Sequence, residues 1–309
     1  MAAFADYHVR GDGSIKNRGG ESNVAGSDHS WNQTILVACM PELPEAEYMV
    51  RRLAECVPRG RIASAAVLRV RTVEPHRPRD LEDALADRRI RGYARRAKNV
   101  LVHLDGKETL RIQLGMTGHV YWIPDHRQVP RFTRVLLKLA GGDGIAFEDA
   151  RVFGSVNLHP TKDLPRVYAG YGPEPLDPGY TWQDLRASAG HSRLPVKPFL
   201  LDQSRVVGLG NIWAAESCFV AGLSPFRPVN ALAGAEWKRL HAAIRRTLTR
   251  AIAATFKVTR GADEFPEADL LTCAVYGREG EKCPRCRGAI ARKTQAGRST
   301  FYCPVCQTL

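Results

Sequence analysis

The chain has 309 residues, 44% apolar and 25% charged, enough for two ordinary cores and typical of a globular protein. Its formal net charge of +13 and pI of about 9.6 favour a polyanionic partner, nucleic acid ahead of an acidic membrane surface. No apolar run is long enough to span a bilayer and no signal-peptide cleavage pattern stands out, so the expectation is a cytoplasmic protein with no membrane partner.

Residues 1–39 are rich in Gly, Ser, Asn and Asp and lack sustained apolar periodicity, so they read as a disordered or mis-annotated extension. The texture changes at Met40. Residues 41–57 read as a helix with Pro41 and Pro44 in its first turn. Ala46, Met49 or Val50, Leu53 and Val57 recur at helical spacing, and Pro58 and Gly60 stop it. A β-rich stretch follows. Ile62 to Val70 is one strand. Asn99 to Leu104 and Thr109 to Leu114 flank the Asp105-Gly106 turn, and Phe132 to Ala140 and Ile145 to Glu148 flank the turn at 141–144. These segments predict a two-layer β-sandwich with a leading helix over 40–171.

Residues 172–181 form a Pro/Gly-rich linker, after which the pattern turns helical. Thr181 and Asp184 resemble a capping box. Val196 to Gln203 reads as a helix, 211–221 as a second ended by Gly222, and 235–255 as a third with Leu240, Ile244, Leu248 and Ile252 on one face. Between the first two lies Gly208-Leu209-Gly210-Asn211. A dinucleotide fingerprint would need a glycine where Trp213 stands and a strand before the turn. A helix, two turns and a helix fit better, over 182–272. Asn211 is expected to cap the second helix, leaving its N–H groups to hold an anion, in so basic a chain a DNA phosphate.

Of the eight cysteines, Cys39, Cys56, Cys218 and Cys273 are scattered without disulfide spacing. Cys283-Pro-Arg-Cys286 and Cys303-Pro-Val-Cys306 are two CxxC units with sixteen residues between them, the four-cysteine spacing of a zinc ribbon, over 273–309. Four thiolates leave no open coordination position, so one structural Zn²⁺ is expected. Arg285, Arg287, Arg292, Lys293 and Arg298 make this hairpin a candidate phosphate-binding tip. The fold class that results is α+β, sandwich first, then helices and a zinc finger.

MPELPE at 40–45, Arg95-Arg96-Ala97-Lys98, Gln113-Leu114-Gly115-Met116-Thr117-Gly118, GPEPL at 172–176, VVGLGNIWAAE at 206–216, VYGREGEKC at 275–283 and RSTFYCPVCQ at 298–307 resemble, in order, the signature blocks of the formamidopyrimidine-DNA glycosylase family. The resemblance covers about residues 40–307. It implies a bifunctional DNA glycosylase and abasic-site lyase of base excision repair, working as a monomer on double-stranded DNA that carries oxidised bases or abasic sites. Pro41, freed of its methionine, is then the nucleophile. An α-amine titrates near about pH 8, so a useful fraction is neutral at pH 7. Attack on the sugar C1′ expels the base, and the resulting iminium is an electron sink for β- and δ-elimination.

By the same resemblance Glu42 is the acid/base beside the nucleophile, and Lys98 a second proton donor that also contacts phosphate. Arg298 holds a phosphate during δ-elimination. Met116, Arg151 and Phe153 fill the gap left by an extruded base. Arg134, Arg193, Lys197 and Asn211 are phosphate contacts. Leu43 with Met116 resembles the branch that takes oxidised purines, 8-oxoguanine and formamidopyrimidines. The endonuclease VIII-like branch for oxidised pyrimidines typically has glycine at the position of Leu43. Several positions depart from the pattern: Gln113 stands where a histidine is usual, and Ala150 and Val152 replace the proline and second arginine of DPRRFG. Residues 257–272 correspond to the loop that closes over the extruded base and share little with it. With residues 1–39 attached Pro41 has no free amine, so translation from Met40 is the expectation, and a non-catalytic DNA-binding protein the alternative if the extension stays.

Overall fold

The computed structural model describes residues 7–9, 15–17, 40–125, 129–258 and 272–308, in two units, 1–37 and 38–309. In the first unit, strands β1 (Tyr7–Val9) and β2 (Ile15–Asn17) pair antiparallel, Tyr7 opposite Asn17. The rest of the stretch expected to be an extension lies outside the described residues, as do residues 259–271 of the segment expected to close over the base.

The second unit opens on helix α1 (Leu43–Cys56), which begins two residues later than the sequence suggests. Glu42 is its N-cap, in a reciprocal box with Glu45, and Pro44 sits in the first turn; Pro41 lies ahead of the helix, not in it. Leu43, Ala46, Met49, Val50 and Leu53 are buried, at the spacing that puts them on one face. Then come β3 (Ile62–Val67), α2 (Pro78–Leu85), β4 (Ile90–Arg96), β5 (Asn99–Leu104), β6 (Glu108–Gln113), β7 (Gly118–Ile123), β8 (Thr133–Leu139), β9 (Gly144–Asp149) and β10 (Ser155–Pro160). They form two antiparallel sheets, ordered β10-β6-β5-β4 and β3-β8-β9-β7. Val100, Val102, Leu110 and Ile112 of the first meet Val120, Val135, Leu137, Ile145 and Phe147 of the second in one core. Helix α1 packs on β4, β5 and β7, closing one edge of the sandwich.

Strands β4, β7 and β10 and helix α2 are additions to the sequence reading. β4 (IRGYARR) carries so many cations that it lacks the apolar alternation of a strand; only Ile90 is buried outright.

After the short helix α3 (Leu164–Val167) and the linker, α4 (Trp182–Ala189) begins at the expected box, Thr181 N–H donating to Asp184 Oδ2 at 2.8 Å. Helices α5 (Val196–Leu201), α6 (Asn211–Ala221) and α7 (Gly234–Val258) build a second core, to which Leu43 of α1 also belongs. Gly222 ends α6 in the left-handed region, φ 66°. Leu240, Ile244, Leu248 and Ile252 of α7 are all buried. A hairpin of β11 (Ala291–Gln295) and β12 (Arg298–Tyr302) turns through Ala296 and Gly297, both at positive φ as a two-residue turn of this hand requires.

Candidate active site

The turn before α6 is shaped around a carboxylate. Gly210, Ile212 and Trp213 donate their backbone N–H groups to Glu42 at 2.6, 2.9 and 3.2 Å. A side chain at Gly210 would run into that carboxylate, and one at Gly208 into Leu43, 2.6 Å away; Gly208 is also at φ +85°. The two glycines thus let α1 and its N-cap seat directly on the start of α6, and Leu43 N–H donates to Gly208 O at 2.9 Å. The anion expected at this helix terminus is therefore Glu42 and not a phosphate. The N-cap is Gly210, with Asn211 the first helical residue. Burial raises the pKa of Glu42 above the ordinary carboxylate value, against the opposing pull of the Lys98 charge and the N–H donors.

Pro41 is buried immediately before Glu42. Lys98 comes from the turn between β4 and β5, and its charge is felt at both Glu42 and Glu45. That turn is held by Glu174 of the linker, which accepts from Arg95 Nη1 at 2.7 Å, Arg96 Nη1 at 3.0 Å and Ala97 N at 2.7 Å. Arg96 also donates to Gly172 O at 2.6 Å, so the Arg-Arg-Ala-Lys and GPEPL segments form one joint. Glu45, unassigned by the sequence reading, is 2% exposed; its Oε2 accepts from Glu42 N at 2.9 Å while Oε1 has no partner among the described residues. Burial first, then the Glu42 charge, pushes its pKa up to about 7.

The three intercalation candidates come together. The Gly115 turn packs on the backbone of Phe153 and Gly154, 2.6 Å from where a Cβ would sit, which brings the half-buried Met116 beside the 149–154 loop. Phe153 is 52% exposed and the Arg151 guanidinium lies over its ring at 5.2 Å. The loop is organised by the buried Asp149, which accepts from Gly154 N at 2.7 Å and Arg151 N at 3.2 Å and from the Thr117 hydroxyl. Val152, in place of the family's arginine, is held at φ 57°, a region a β-branched residue seldom enters. Arg134 donates to Asp149 O at 2.7 Å and Ala150 O at 3.3 Å, so it braces this loop.

Among the phosphate candidates, Arg193 is exposed. Lys197 differs from expectation. It is 1% exposed, and its ammonium donates to Asn211 Oδ1 at 2.6 Å, Thr300 Oγ1 at 2.8 Å and Ser299 O at 2.9 Å. Burial, aided by the neighbouring Arg298 charge, lowers its pKa to about 8. Asn211 Nδ2 also reaches Ser299 O, at 3.1 Å, so both residues clamp the zinc hairpin to the helical turn. Arg298 is exposed at the hairpin tip.

The Sγ atoms of Cys283, Cys286, Cys303 and Cys306 lie within 4.8 Å of one another, with Cys286 and Cys303 at 3.4 Å and Cys283 and Cys306 at 3.9 Å. A tetrahedron with Zn–S bonds of about 2.3 Å has edges of about 3.8 Å, so the thiolates fit one structural Zn²⁺. Gln307 ties this centre to the body, accepting from Cys303 N at 2.8 Å and donating to Leu223 O at 2.9 Å. Arg285 is turned back onto Phe219, 4.6 Å above its ring, and so differs from the tip cation the sequence suggests. Glu216, also missed, accepts the N–H groups of Ala274, Val275 and Tyr276 at 2.8–2.9 Å and fixes the segment that follows residues 259–271.

Three family descriptions match the chain: the formamidopyrimidine-DNA glycosylase N-terminal domain over 40–156, the helix–two-turns–helix domain of the same enzymes over 171–261, and a zinc finger found in them and in isoleucyl-tRNA synthetases over 280–309. Formamidopyrimidine-DNA glycosylases of Cereibacter sphaeroides and Novosphingobium aromaticivorans are 39% and 40% identical to it, across 87% of this chain and 100% of theirs. Among solved structures, the Lactococcus lactis enzyme in complex with DNA containing N7-benzyl-Fapy-dG superposes with a TM-score of 0.81 at 30% identity. It covers 87% of this chain and 100% of that one. Its complex with abasic-site DNA gives 0.79 at 29%, with the same coverage.

Proposed function

The chain belongs to the formamidopyrimidine-DNA glycosylase family, and on that premise we propose that it excises oxidised purines from double-stranded DNA and then cleaves the strand by β,δ-elimination. Pro41 is the nucleophile in this reading. Its neutral secondary amine attacks C1′ of the lesion nucleotide as the C1′–N bond to the base breaks. Glu42, whose pKa burial raises, delivers the proton that opens the sugar ring at O4′. The nitrogen's proton passes to the departing base, and the ring-opened sugar is left as an iminium. That cation draws electrons from C2′, which gives up a proton as the 3′ phosphate leaves; the second elimination releases the 5′ phosphate. Lys98 and Arg298 supply positive charge for these departures, while Met116, Arg151 and Phe153 hold the vacated stack.

The observation that carries the reading is the seating of Glu42. A buried carboxyl next to Pro41, gripped by three N–H groups of the opposite domain, is costly to build unless its proton has work to do. Lys197 and Asn211 act here as positioning residues that hold the hairpin bearing Arg298, and Arg193 is a phosphate contact. The protein works as a monomer, begun at Met40 so that removal of the methionine frees the amine.

Borohydride trapping on duplexes containing 8-oxoguanine, an oxidised pyrimidine or an abasic site tests this. Protein begun at Met40 is expected to form a covalent adduct, with 8-oxoguanine preferred over the pyrimidine. The full-length chain with Met1 retained and the Pro41→Gly variant of the shorter chain are expected to form little or none. Equal trapping by all three would sink the mechanism, and preference for the pyrimidine would move the protein to the endonuclease VIII-like branch.

A further inference from the structure

On α7, Arg239, Arg246, Arg250 and Lys257 recur at intervals of seven, four and seven residues, which places them on one stripe about 27 Å long. All four are exposed. Arg239 reaches Glu236 at 3.6 Å, while Arg246, Arg250 and Lys257 have no ion-pair partner among the described residues. The stripe runs beside two pits in the groove between α6 and α7. One, of about 280 Å³, is lined by Val220, Ala221, Arg239, Ala242 and Arg246. The other, of about 350 Å³, has Val220, Ala251 and Ala254 in its walls and Arg250 and Lys257 beside them. Trp213 and Thr247 also line the second pit. Their Nε1 and Oγ1 atoms are buried without a hydrogen-bond partner among the described residues, an arrangement that ordinarily costs stability. Glu216 is the acid at this pit, and its two oxygens already accept the N–H groups of Ala274, Val275 and Tyr276.

We infer that this groove is a docking site for an acidic peptide segment of a partner protein, with apolar side chains seated in the two pits and carboxylates paired to the α7 stripe. Cations alone would suit any polyanion. Small, alanine-floored pits distinguish a peptide from a nucleic acid. A duplex keeps its phosphates on a rigid convex surface and has nothing to insert, whereas an extended chain of about eight residues spans the stripe and presents side chains at alternating positions. Arg246, Arg250 and Ala254 have no part in the proposed chemistry, so the site can be varied apart from it. Trp213 joins the two: its backbone holds Glu42 and its ring lines the pit.

Fluorescence anisotropy with the full-length protein tests the proposal, using a short labelled peptide of Asp and Glu around two Phe residues. The peptide is expected to bind, and to bind more weakly as salt rises. Arg246→Glu with Arg250→Glu is expected to weaken it about ten-fold or more, since each change removes an attraction and adds a repulsion. Ala254→Phe, which fills the second pit and changes no charge, is expected to weaken it as well, with circular-dichroism melts unchanged for both variants. Absence of binding, or wild-type binding by both variants, overturns the proposal. So does equal loss of a single-stranded oligonucleotide of matched charge, which would make the stripe a general polyanion surface.

Discussion

Gly210 has no room for a side chain, because the Glu42 carboxylate occupies that space. Gly210→Ala is therefore expected to displace the acid while leaving the fold nearly intact. Its kcat/KM on a lesion duplex should fall by about 10²-fold or more with Tm little changed, the size of a lost proton-transfer partner. Gly208, at a positive φ that only glycine adopts freely and pressed on Leu43, serves packing, so the same change there should cost Tm first. Glu45 gives a pH signature. Its folded pKa of about 7 lies above its ordinary value of 4.5, so the folded protein binds the proton more tightly than the unfolded chain. The stabilisation is fully present below pH 4.5 and is lost as pH rises toward and through 7. The unfolding free energy should fall over that window by on the order of 3 kcal/mol, read as a falling Tm, and Glu45→Gln, which keeps an oxygen for Glu42 N–H, should flatten the decline. The sequence could have exposed Glu45, since an acid three residues after an N-cap closes a capping box. No spacing rule could have revealed that Glu42 reaches across to residues 210–213.

At the scale of elements, the zinc hairpin is held by few apolar contacts of its own and depends on the metal and on Lys197, Asn211 and Gln307. Treatment with a mercurial should release one Zn²⁺ per chain, counted with a chromogenic chelator, and abolish DNA binding while the sandwich keeps its strand signal in circular dichroism. Release of two ions, or none, would contradict a single four-cysteine centre. This module was the most legible part of the chain, because tetrahedral chemistry ties four cysteines to a fixed spacing. The helices α1 and α7, with their apolar stripes, and α6, apolar nearly all round, were nearly as plain. Strands β4, β7 and β10 were not. The cations of β4 are there for Glu47 and Glu174, contacts distant in sequence, and they mask its period of two. Lys197 was misplaced for a related reason: a lysine on a helix reads as solvated until a neighbouring hairpin is seen to bury it.

For the whole molecule, the charge of +13 should show as steep salt dependence of DNA binding. A plot of log K against log salt loses about 0.9 in slope for each phosphate contact removed. Arg193→Ala, at an exposed position, should lower the slope by about that amount. Arg134→Ala instead removes the brace of the 149–154 loop and should change lesion selection more than slope. An unchanged slope for Arg193→Ala would remove that residue from the phosphate contacts. The order of the domains was readable from composition and turns; the way they close on each other was not, since Glu42, Leu43, Gly208 and Gly210 meet only in the folded chain.

That carboxylate has an owner and a host in different lobes: Glu42 is carried by the amino-terminal half, and its seat is cut into the carboxy-terminal half. Neither polypeptide is thus equipped for chemistry by itself. Cutting the chain within 177–179 should yield two inert fragments that recover strand cleavage when mixed, at a rate second order in fragment concentration.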